Sequence, residues 1–545
     1  MIKISLHLVL QKIYKYEFFN FLIKYLKILI FTFALNSQEK KIYKSWLKSK
    51  IIKKNKHKGY LIYNPTIPFF WGGFHFQQIF FLKIFQELGY TPIIINGDHL
   101  QKFYSNLGFV SLPHIYYFLP KKYDLVKIRK IIKKIDFNRI INFKYNNIPS
   151  GRYAYNSTLR HLKVSTLDHK NKKHQFYLRF YLLKSITISK CLEKLTKKYN
   201  IITGLFNDHE MCGEGELFSK LIKEKQPLFS ITAGFKNNTF YLKKYYKRNL
   251  NVHPRSCSKL TINEMKKKSI SKRIINDTKK IVLNSYSNKS WEIFANTQTM
   301  TKKHSMSEIK KLLNINNNNL NIVIFSHVYY DATFSWGKNI FKNYEEWLVE
   351  TINILSRVKN INCILKVHPA NLSKDKGYTI SKEVSSIKNK MGRIPEKLII
   401  IPADSKINTI SIIQLLDYCI TVRGTVGIES ALFGKKVITC GTGRYDNLGF
   451  TIDFVNKKEY FFFLKNIANA NIRIDQKINT GCKFAYYSLL KRPFFPNTKV
   501  SKYSLNNNNY PVPFFHLSKY QTKNYYKDFS LVKKWVLSKN EDFLN

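Results

Sequence analysis

Residues 418–439 read YCITVRGTVGIESALFGKKVIT. In this stretch, apolar runs of strand length lie on either side of an apolar run of helix length. Residues 418–422 are short enough for a buried strand, and residues 426–433 have the length and apolar content of a helix. Gly434 stands where a glycine commonly ends a helix, and residues 436–439 begin a second strand. A strand, a helix and a strand in this order form the repeating unit of a parallel α/β sheet.

The same alternation extends to both sides of this stretch. The runs are rich in Ile and Val and lack a polar face, as expected for a parallel sheet that is covered on both faces. We therefore predict a Rossmann-like lobe over residues 316–455. Its further elements are strands at 321–325, 363–367 and 398–401, and helices at 344–358 and 409–416.

A second unit of this kind begins near residue 59. A strand at 60–63, a helix at 77–88 and a strand at 91–95 predict another parallel α/β lobe. Two such lobes predict a cleft, with ligands at the carboxyl ends of the strands. The predicted domains are a basic amphipathic segment with a linker, a first α/β lobe with a crossing segment, a second α/β lobe, and a helical, aromatic tail that packs across the lobes. Their ranges are 1–58, 59–315, 316–455 and 456–545.

The N-terminal segment leaves three alternatives open. Residues 18–35 are apolar but contain Lys24 and Lys27, and no signal-peptide cleavage site follows. Two central lysines are costly in a membrane-spanning helix. A helix on the membrane surface, an amphipathic helix packed on the protein and a true span are the alternatives, and residues 1–35 do not decide among them.

The composition excludes some classes and leaves the partner open. The 545 residues include 41 Phe and 35 Tyr, which excludes a mainly disordered chain. Lys and Arg number 92 against 34 Asp and Glu, a net charge of +58 that attracts phosphates, polyanions and anionic lipid, although a general bias towards Lys, Asn and Ile accounts for it as well. Seven cysteines without a C-x-x-C argue against a disulfide framework and a zinc ribbon, and favour the reducing cytoplasm.

Polar residues follow two predicted strands of the second lobe. Ser326 and His327 come directly after the strand at 321–325, with Asp331 close behind, and could hold a sugar or a phosphate. Lys366 and the dipeptide His368-Pro369 end the strand at 363–367, where a donor or cation could stabilise a leaving phosphate. A capped loop with a structural histidine is the alternative for the first set, and a purely structural role is the alternative for the second.

The next strand ends in a turn that suits an anion. Gly424 lets the backbone approach a ligand closely, and Thr425 can cap the helix whose free N–H groups face outward. Arg423 adds a positive charge, and Glu429 could accept hydrogen bonds from a ribose. The turn is neither a dinucleotide fingerprint nor a Walker loop. We expect Gly427, and Gly441 and Tyr445 from the following glycine-rich loop, to line the same site.

Acidic residues are concentrated at one place in the first lobe. Asp208, Glu210 and Glu214 lie within seven residues of a chain that is poor in acids. A carboxylate in a cleft could act as the general base for an acceptor hydroxyl. Their spacing matches no strong metal-binding pattern, and an acidic loop with a helix cap is the alternative.

Taken as an ordered set, these motifs resemble capsule polysaccharide biosynthesis proteins. The resemblance is carried by residues 326–334 and 341–351, by Lys366 to Asn371, by Arg423 to Glu429, and by residues 434–451, with a weaker likeness at Gly213 to Glu216. It implies a GT-B glycosyltransferase in which the first lobe binds the acceptor and the second the nucleotide sugar. His368-Pro369 and Gly424-Thr425 would be the counterparts of motifs that contact a CMP-linked donor in Kdo transferases and bacterial sialyltransferases, but Arg423-Gly424-Thr425 departs from the serine-rich form.

We therefore expect a cytoplasmic, metal-independent glycosyltransferase without a cofactor. Its partners would be a nucleotide sugar and a glycan or lipid-linked acceptor, with a peripheral contact to the anionic inner membrane as one alternative. Asp208, Glu210, Glu214 and His368 are the candidate catalytic residues. Two alternative hypotheses remain. One is a nucleotide-sugar epimerase or polyol-phosphate transferase on the same fold, and the other is a non-enzymatic polyanion binder without specific nucleic-acid recognition.

Overall fold

A computed structural model describes most of the chain from residue 57 onward. Residues 1–56 of the predicted N-terminal segment lie outside the described residues. The described ranges are 57–64, 72–95, 101–112, 122–235, 239–287, 303–331, 333–369, 371, 382–470, 475–495, 502–505, 511–514 and 522–545.

Strands and helices alternate along most of the described chain. The strands are β1 Gly59–Tyr63, β2 Tyr90–Ile95, β3 Val110–Leu112, β4 Ile201–Phe206, β5 Leu228–Ala233, β6 Phe240–Tyr245, β7 Leu320–Phe325, β8 Ile361–Lys366, β9 Leu398–Ile401, β10 Tyr418–Thr421, β11 Lys436–Thr439, β12 Ile452–Asp453, β13 Pro493–Phe494, β14 Lys502–Leu505 and β15 Pro511–Phe514. The α-helices are α1 Gly72–Glu87, α2 Gln101–Asn106, α3 Lys122–Lys134, α4 Ser150–Leu162, α5 Lys172–Lys198, α6 Glu214–Leu221, α7 Lys259–Lys267, α8 Lys272–Ser287, α9 Met306–Leu312, α10 Tyr344–Leu355, α11 Lys382–Met391, α12 Thr409–Leu415, α13 Thr425–Leu432, α14 Lys457–Lys465, α15 Asp475–Tyr486 and α16 Thr522–Leu537.

The chain divides into two compact units. The first comprises Met1–Ile128, Thr187–Asn207 and Pro496–Ser538, and the second comprises Arg129–Ile186, Asp208–Phe495 and Lys539–Asn545. In the first unit, β1 pairs in parallel with β2 and with β4, and β2 pairs in parallel with β3. The strand–helix–strand unit predicted near residue 59 is therefore confirmed.

The second unit contains a six-stranded parallel sheet in the order β9-β8-β7-β10-β11-β12. Numbered along the chain, this is the order 3-2-1-4-5-6 of doubly wound nucleotide-binding folds. The strand order reverses between β7 and β10, which pair in parallel. The α/β fold class and its Rossmann-like sheets are confirmed.

Successive residues of β7 explain why this strand has no polar face. Ile322 and Ile324 pack into one hydrophobic core, and Val323 and Phe325 pack into another. Because side chains alternate across a strand, a sheet with a core on each face requires an uninterrupted apolar run. The parallel sheet was predicted from this run.

Small differences from the predicted elements occur at their ends. Helix α10 ends at Leu355, three residues before the predicted end at residue 358, and Asn360 then adopts a left-handed conformation with φ 59°. Gly434 has φ 74°, as a glycine that ends a helix requires.

The second unit also contains the antiparallel strands β5, β6 and β13. All seven cysteines lie in the described part of the chain, and none forms a disulfide. Among the described helices, none is long and apolar enough to cross a membrane.

Candidate functional site

The predicted donor-binding residues lie around the point where the strand order of the six-stranded sheet reverses. His327 follows β7, and its Nε2 lies 3.0 Å from Thr421 Oγ1 at the end of β10. The Val422 N–H donates to the same nitrogen over 3.2 Å. Ser326-His327 and Arg423-Gly424 are thus brought together, as the ends of adjacent parallel strands predict.

Hydrogen bonding and burial keep the His327 ring neutral. Its Nε2 accepts from the Val422 N–H, so this network assigns the proton to Nδ1. Burial, together with the neighbouring His368 and Arg423, lowers the pKa of His327 to about 3. The ring stacks on Tyr344 with centroids 4.7 Å apart. These contacts fix the ring's orientation.

A buried carboxylate connects the ends of β7 and β8. Ser326 Oγ donates to Glu383 Oε1 over 2.8 Å and accepts from the main-chain N–H of His368 over 2.9 Å. Asn371 Nδ2 donates to the same Glu383 oxygen over 2.7 Å. The network fixes the backbone at His368-Pro369. Glu383 was not predicted from the sequence, because it lies on α11, outside every strand-end motif.

Close packing requires glycine at one position in α13 and at another in the loop after β11. A Cβ on Gly427 would overlap the hydroxyl of Tyr445, which donates to the Gly424 carbonyl over 2.7 Å. A Cβ on Gly441 would lie 2.8 Å from Arg423 Nη2. The predicted residues Gly424, Gly427, Gly441 and Tyr445 therefore pack together.

Two arginines lie at the amino end of α13. Arg423 is 5% exposed and donates to Asn339 Oδ1, but its Nε and Nη1 are buried without a hydrogen-bond partner among the described residues. Arg444 donates to the Arg423 carbonyl over 2.6 Å and to Thr425 Oγ1 over 2.8 Å, and its Nε is likewise buried and unpartnered. Arg444 belongs to the same glycine-rich loop as Gly441 and Tyr445, but it was not among the residues predicted to line the site.

The field around these arginines is strongly positive. Burial lowers the pKa of Arg444 to about 10. Burial also lowers the pKa of His253 well below its ordinary value, and Arg444, Arg255 and Arg423 lower it further. First-turn amides of a helix have no acceptor within the helix, so the amino end of α13 adds to the field. This surrounding suits an anion such as a phosphate.

Two predicted donor-site residues have partners inside the fold. Glu429 is 3% exposed and accepts from the Tyr286 hydroxyl over 2.9 Å, and burial raises its pKa to about 7. Lys366 donates to the carbonyl of Pro402 over 3.1 Å, and burial lowers its pKa to about 8. Their role in donor binding stays a prediction.

The three acidic candidates have different surroundings. Asp208 pairs with Arg160 over 2.6 Å, and Glu214 accepts the main-chain N–H of Asp208 over 2.7 Å. Glu210 is 3% exposed, and its nearest cationic group is Arg152, 4.0 Å away. Burial raises the pKa of Glu210 to about 8 against the opposing charge of Arg152.

Arg160 connects the acidic loop to the loop after β7. The same guanidinium that pairs with Asp208 also pairs with Asp331 over 3.1 Å. Asn156 donates to the Glu210 carbonyl over 3.2 Å and to Ser335 Oγ over 3.1 Å. Acidic candidates and the His327 loop are thus neighbours within the second unit. No pattern around Arg160 or Asn156 in helix α4 pointed to this junction.

Comparison with known proteins gives a family match over part of the chain. Residues 248–468 match the family described as "Capsule polysaccharide biosynthesis protein", which confirms the resemblance over this segment. It includes every donor-site residue named above and His368. No curated protein matches the chain.

Several solved structures show distant similarity. One is the KpsC β-Kdo 2,7 transferase of Thermosulfurimonas dismutans, which has 15% sequence identity to this chain. The match covers 64% of this chain and 89% of the transferase chain, and its TM-score is 0.33. The KpsC β-Kdo 2,4 transferase of the same organism has 10% sequence identity. That match covers 52% of this chain and 79% of the transferase chain, with a TM-score of 0.30. Anabaena Alr3699/HepE, solved in complex with UDP-glucose, has 12% sequence identity. That match covers 78% of this chain and 93% of the Anabaena chain, with a TM-score of 0.26. Similarity at this level carries no functional argument.

Proposed function

We propose that this protein is a glycosyltransferase of surface-polysaccharide synthesis that uses a nucleotide-linked sugar donor. The observation that carries the proposal is the buried Arg423 at the amino end of α13, with two donor nitrogens that have no partner among the described residues. A buried guanidinium needs an anionic partner, and the phosphate of a nucleotide sugar supplies one. The capsule family match over residues 248–468 supports the biosynthetic context.

In this mechanism, Arg423, Arg444 and the α13 dipole bind the donor phosphates and neutralise the charge that develops on the leaving group. Charge stabilisation of this kind serves transfer without a metal ion. His368 would donate to the leaving phosphate from the end of β8, where Ser326 and Glu383 hold its backbone. A carboxylate of the acidic loop would take the proton of the acceptor hydroxyl.

Finer assignments complete the proposal. His368-Pro369 and Gly424-Thr425 favour a CMP-linked donor through the resemblance described above. The acceptor would be a glycan or its lipid-linked precursor at the inner face of the cytoplasmic membrane, since the family match points to capsule-type polymers. An epimerase or polyol-phosphate transferase would use the same phosphate site, and product analysis separates these activities.

Nucleotide binding tests the donor site directly. We expect CMP, UDP, GDP or ADP to raise the melting temperature at fixed salt, with a clear preference for one of them, because a ligand of the folded state stabilises by mass action. Preference for CMP would support the CMP-linked donor, and preference for UDP or GDP would discard it. Equal, salt-sensitive shifts with all four would instead indicate a polyanion binder.

Replacement of His368 tests the catalytic assignment. We expect His368→Ala to abolish transfer while the nucleotide-induced rise in melting temperature persists, because the backbone of residue 368 still donates to Ser326. Full transfer activity in this variant would remove His368 from the mechanism.

A further inference from the structure

Buried polar groups without partners are concentrated around Glu210. Its Oε2, His209 Nε2, Asn156 Oδ1 and Arg152 Nε all lack a hydrogen-bond partner among the described residues. Glu210, His209 and Asn156 are each at most 3% exposed. Nearly all buried polar atoms in native proteins are hydrogen-bonded, and an unsatisfied one destabilises the fold. Four such atoms in one cluster therefore indicate a polar ligand.

The four atoms come from groups that converge on Glu210. Arg152 Nη2 lies 4.0 Å from Glu210 Oε2, and His209 Nε2 lies 3.8 Å from Glu210 Oε1. Asn156 Nδ2 donates to the Glu210 carbonyl over 3.2 Å. The Arg152 side chain is 29% exposed, so the cluster reaches the surface beside it.

The chemistry of the cluster suits a hydroxyl group. Arg152 Nε can only donate, whereas Asn156 Oδ1 and an ionised Glu210 can only accept. A hydroxyl both donates and accepts, so it satisfies both kinds of group. A simple cation or anion would satisfy one kind and repel the other.

Glu210 also differs from the two acidic residues near it. Asp208 is ion-paired with Arg160, and Glu214 accepts the main-chain N–H of Asp208. A base needs an oxygen that faces the substrate's proton. Among these three side chains, Glu210 has a buried carboxylate oxygen without a hydrogen-bond partner among the described residues, and we take this oxygen as the one available to the proton.

We infer that Glu210 is the general base that takes the proton of the acceptor hydroxyl, with Arg152 and Asn156 binding the acceptor beside it. This inference rests on the proposed glycosyltransferase function. The acceptor oxygen forms a bond to the anomeric carbon of the donor sugar, and its proton passes to Glu210. The bond from that carbon to the nucleotide phosphate oxygen breaks, and its electron pair leaves with the phosphate.

The surroundings of Glu210 match this role. Burial raises its pKa to about 8, close to a working pH, where a base is both available and strong enough. The rate should therefore rise with pH through this region as Glu210 ionises. The titratable and charged groups that face it are Arg152 and Tyr153 of α4, Asp208 and His209 of its own loop, and Tyr245 of β6.

Replacement of Glu210 by glutamine tests the inference in the full-length protein. The probes are the CMP- and UDP-linked sugars whose nucleotide stabilises the protein, with octyl glucoside or water as acceptor. We expect Glu210→Gln to lower kcat by about 10²–10⁴-fold, the usual contribution of a general base, and to remove the rise with pH. The nucleotide-induced shift in melting temperature should persist.

Glu216→Gln is the matched control. Glu216 is also fully buried, and its Oε2 accepts the main-chain N–H of Gly213, the residue before α6, over 2.8 Å. Glutamine serves the same cap, so turnover should stay within about threefold of the wild type. Arg152→Met is a second test variant, at a side chain that is more exposed than Glu210. It should raise the KM for octyl glucoside about tenfold.

The outcomes separate this inference from the proposed function. Turnover by Glu210→Gln within threefold of the wild type would overturn the inference and leave the glycosyltransferase proposal standing. The inference would also be overturned if Glu210→Gln changed the melting temperature but not turnover, since that is expected for a cluster that holds only a structural water. No nucleotide release by the wild type from any of these donors would overturn both.

Discussion

At the scale of single residues, Arg423 should affect ligand-free stability and ligand binding in opposite directions. We expect Arg423→Met to weaken nucleotide binding about 10–100-fold, since hydrogen bonds to charged groups contribute about 1.5–3 kcal/mol. Without ligand the variant should be at least as stable as the wild type, because a buried guanidinium with two unpartnered nitrogens is replaced by an apolar chain. Calorimetric titration and urea unfolding measure the two quantities. Arg273→Met, on a 91% exposed side chain, is the control, and equal binding by both variants would contradict the prediction.

Residues at strand ends could be predicted, and their partners could not. Ser326, His327 and Arg423 were identified because each follows an apolar run that had to be a strand. Glu383 and Arg160 were missed, because a helix residue reaches a distant site only through the tertiary fold, and nothing local marks it. Glu429 was identified from its helical spacing near the turn, but the sequence did not show that its carboxylate is hydrogen-bonded to Tyr286.

At the scale of elements, helix α13 should depend on a glycine that lowers its intrinsic helix propensity. Alanine is favoured over glycine by about 1 kcal/mol in a helix, yet a Cβ at residue 427 would overlap the Tyr445 hydroxyl. We expect Gly427→Ala to destabilise the protein by about 1–3 kcal/mol through overpacking. Tyr445→Phe should cost about 1 kcal/mol by losing the hydrogen bond to Gly424. The double variant should cost less than the sum, and simple additivity in urea unfolding would refute the contact.

Element types followed from the sequence more closely than element ends. The strand–helix–strand pattern of residues 418–439 was confirmed, with β10, α13 and β11 each displaced by at most one residue at either end. Helix α10 ended earlier than predicted, because apolar residues continued past its last turn to Val358. Periodicity records which residues are buried, and the hydrogen bonds that end a helix are set by caps and turns.

At the scale of the whole molecule, the second unit is assembled from distant parts of the chain. Residues 539–545 belong to it, and Asp542 forms a bridge with Lys243 of β6. The main chain adds bonds from the Lys244 N–H to Glu541 and from the Phe543 N–H to Leu242. The predicted tail at 456–545 gave no indication of this pairing, because a contact across about 300 residues leaves no periodic signal.

The buried Asp542 carboxylate should make stability depend on pH. It accepts from Lys243 over 2.7 Å, from Arg492 over 3.0 Å and from Thr261 over 2.7 Å, and these cations hold its pKa at about 2 despite burial. The unfolded pKa is about 3.9, so this stabilisation is complete above about pH 5 and is lost as the pH falls towards 2. Asp542→Asn should cost about 3–5 kcal/mol at pH 7, because it leaves two buried cations uncompensated. In urea unfolding from pH 7 to 3, the variant should lose less stability than the wild type on acidification, whereas Asp277→Asn on an exposed helix face should follow the wild type. Parallel curves for Asp542→Asn and the wild type would show that this carboxylate does not link the end of the chain to the fold.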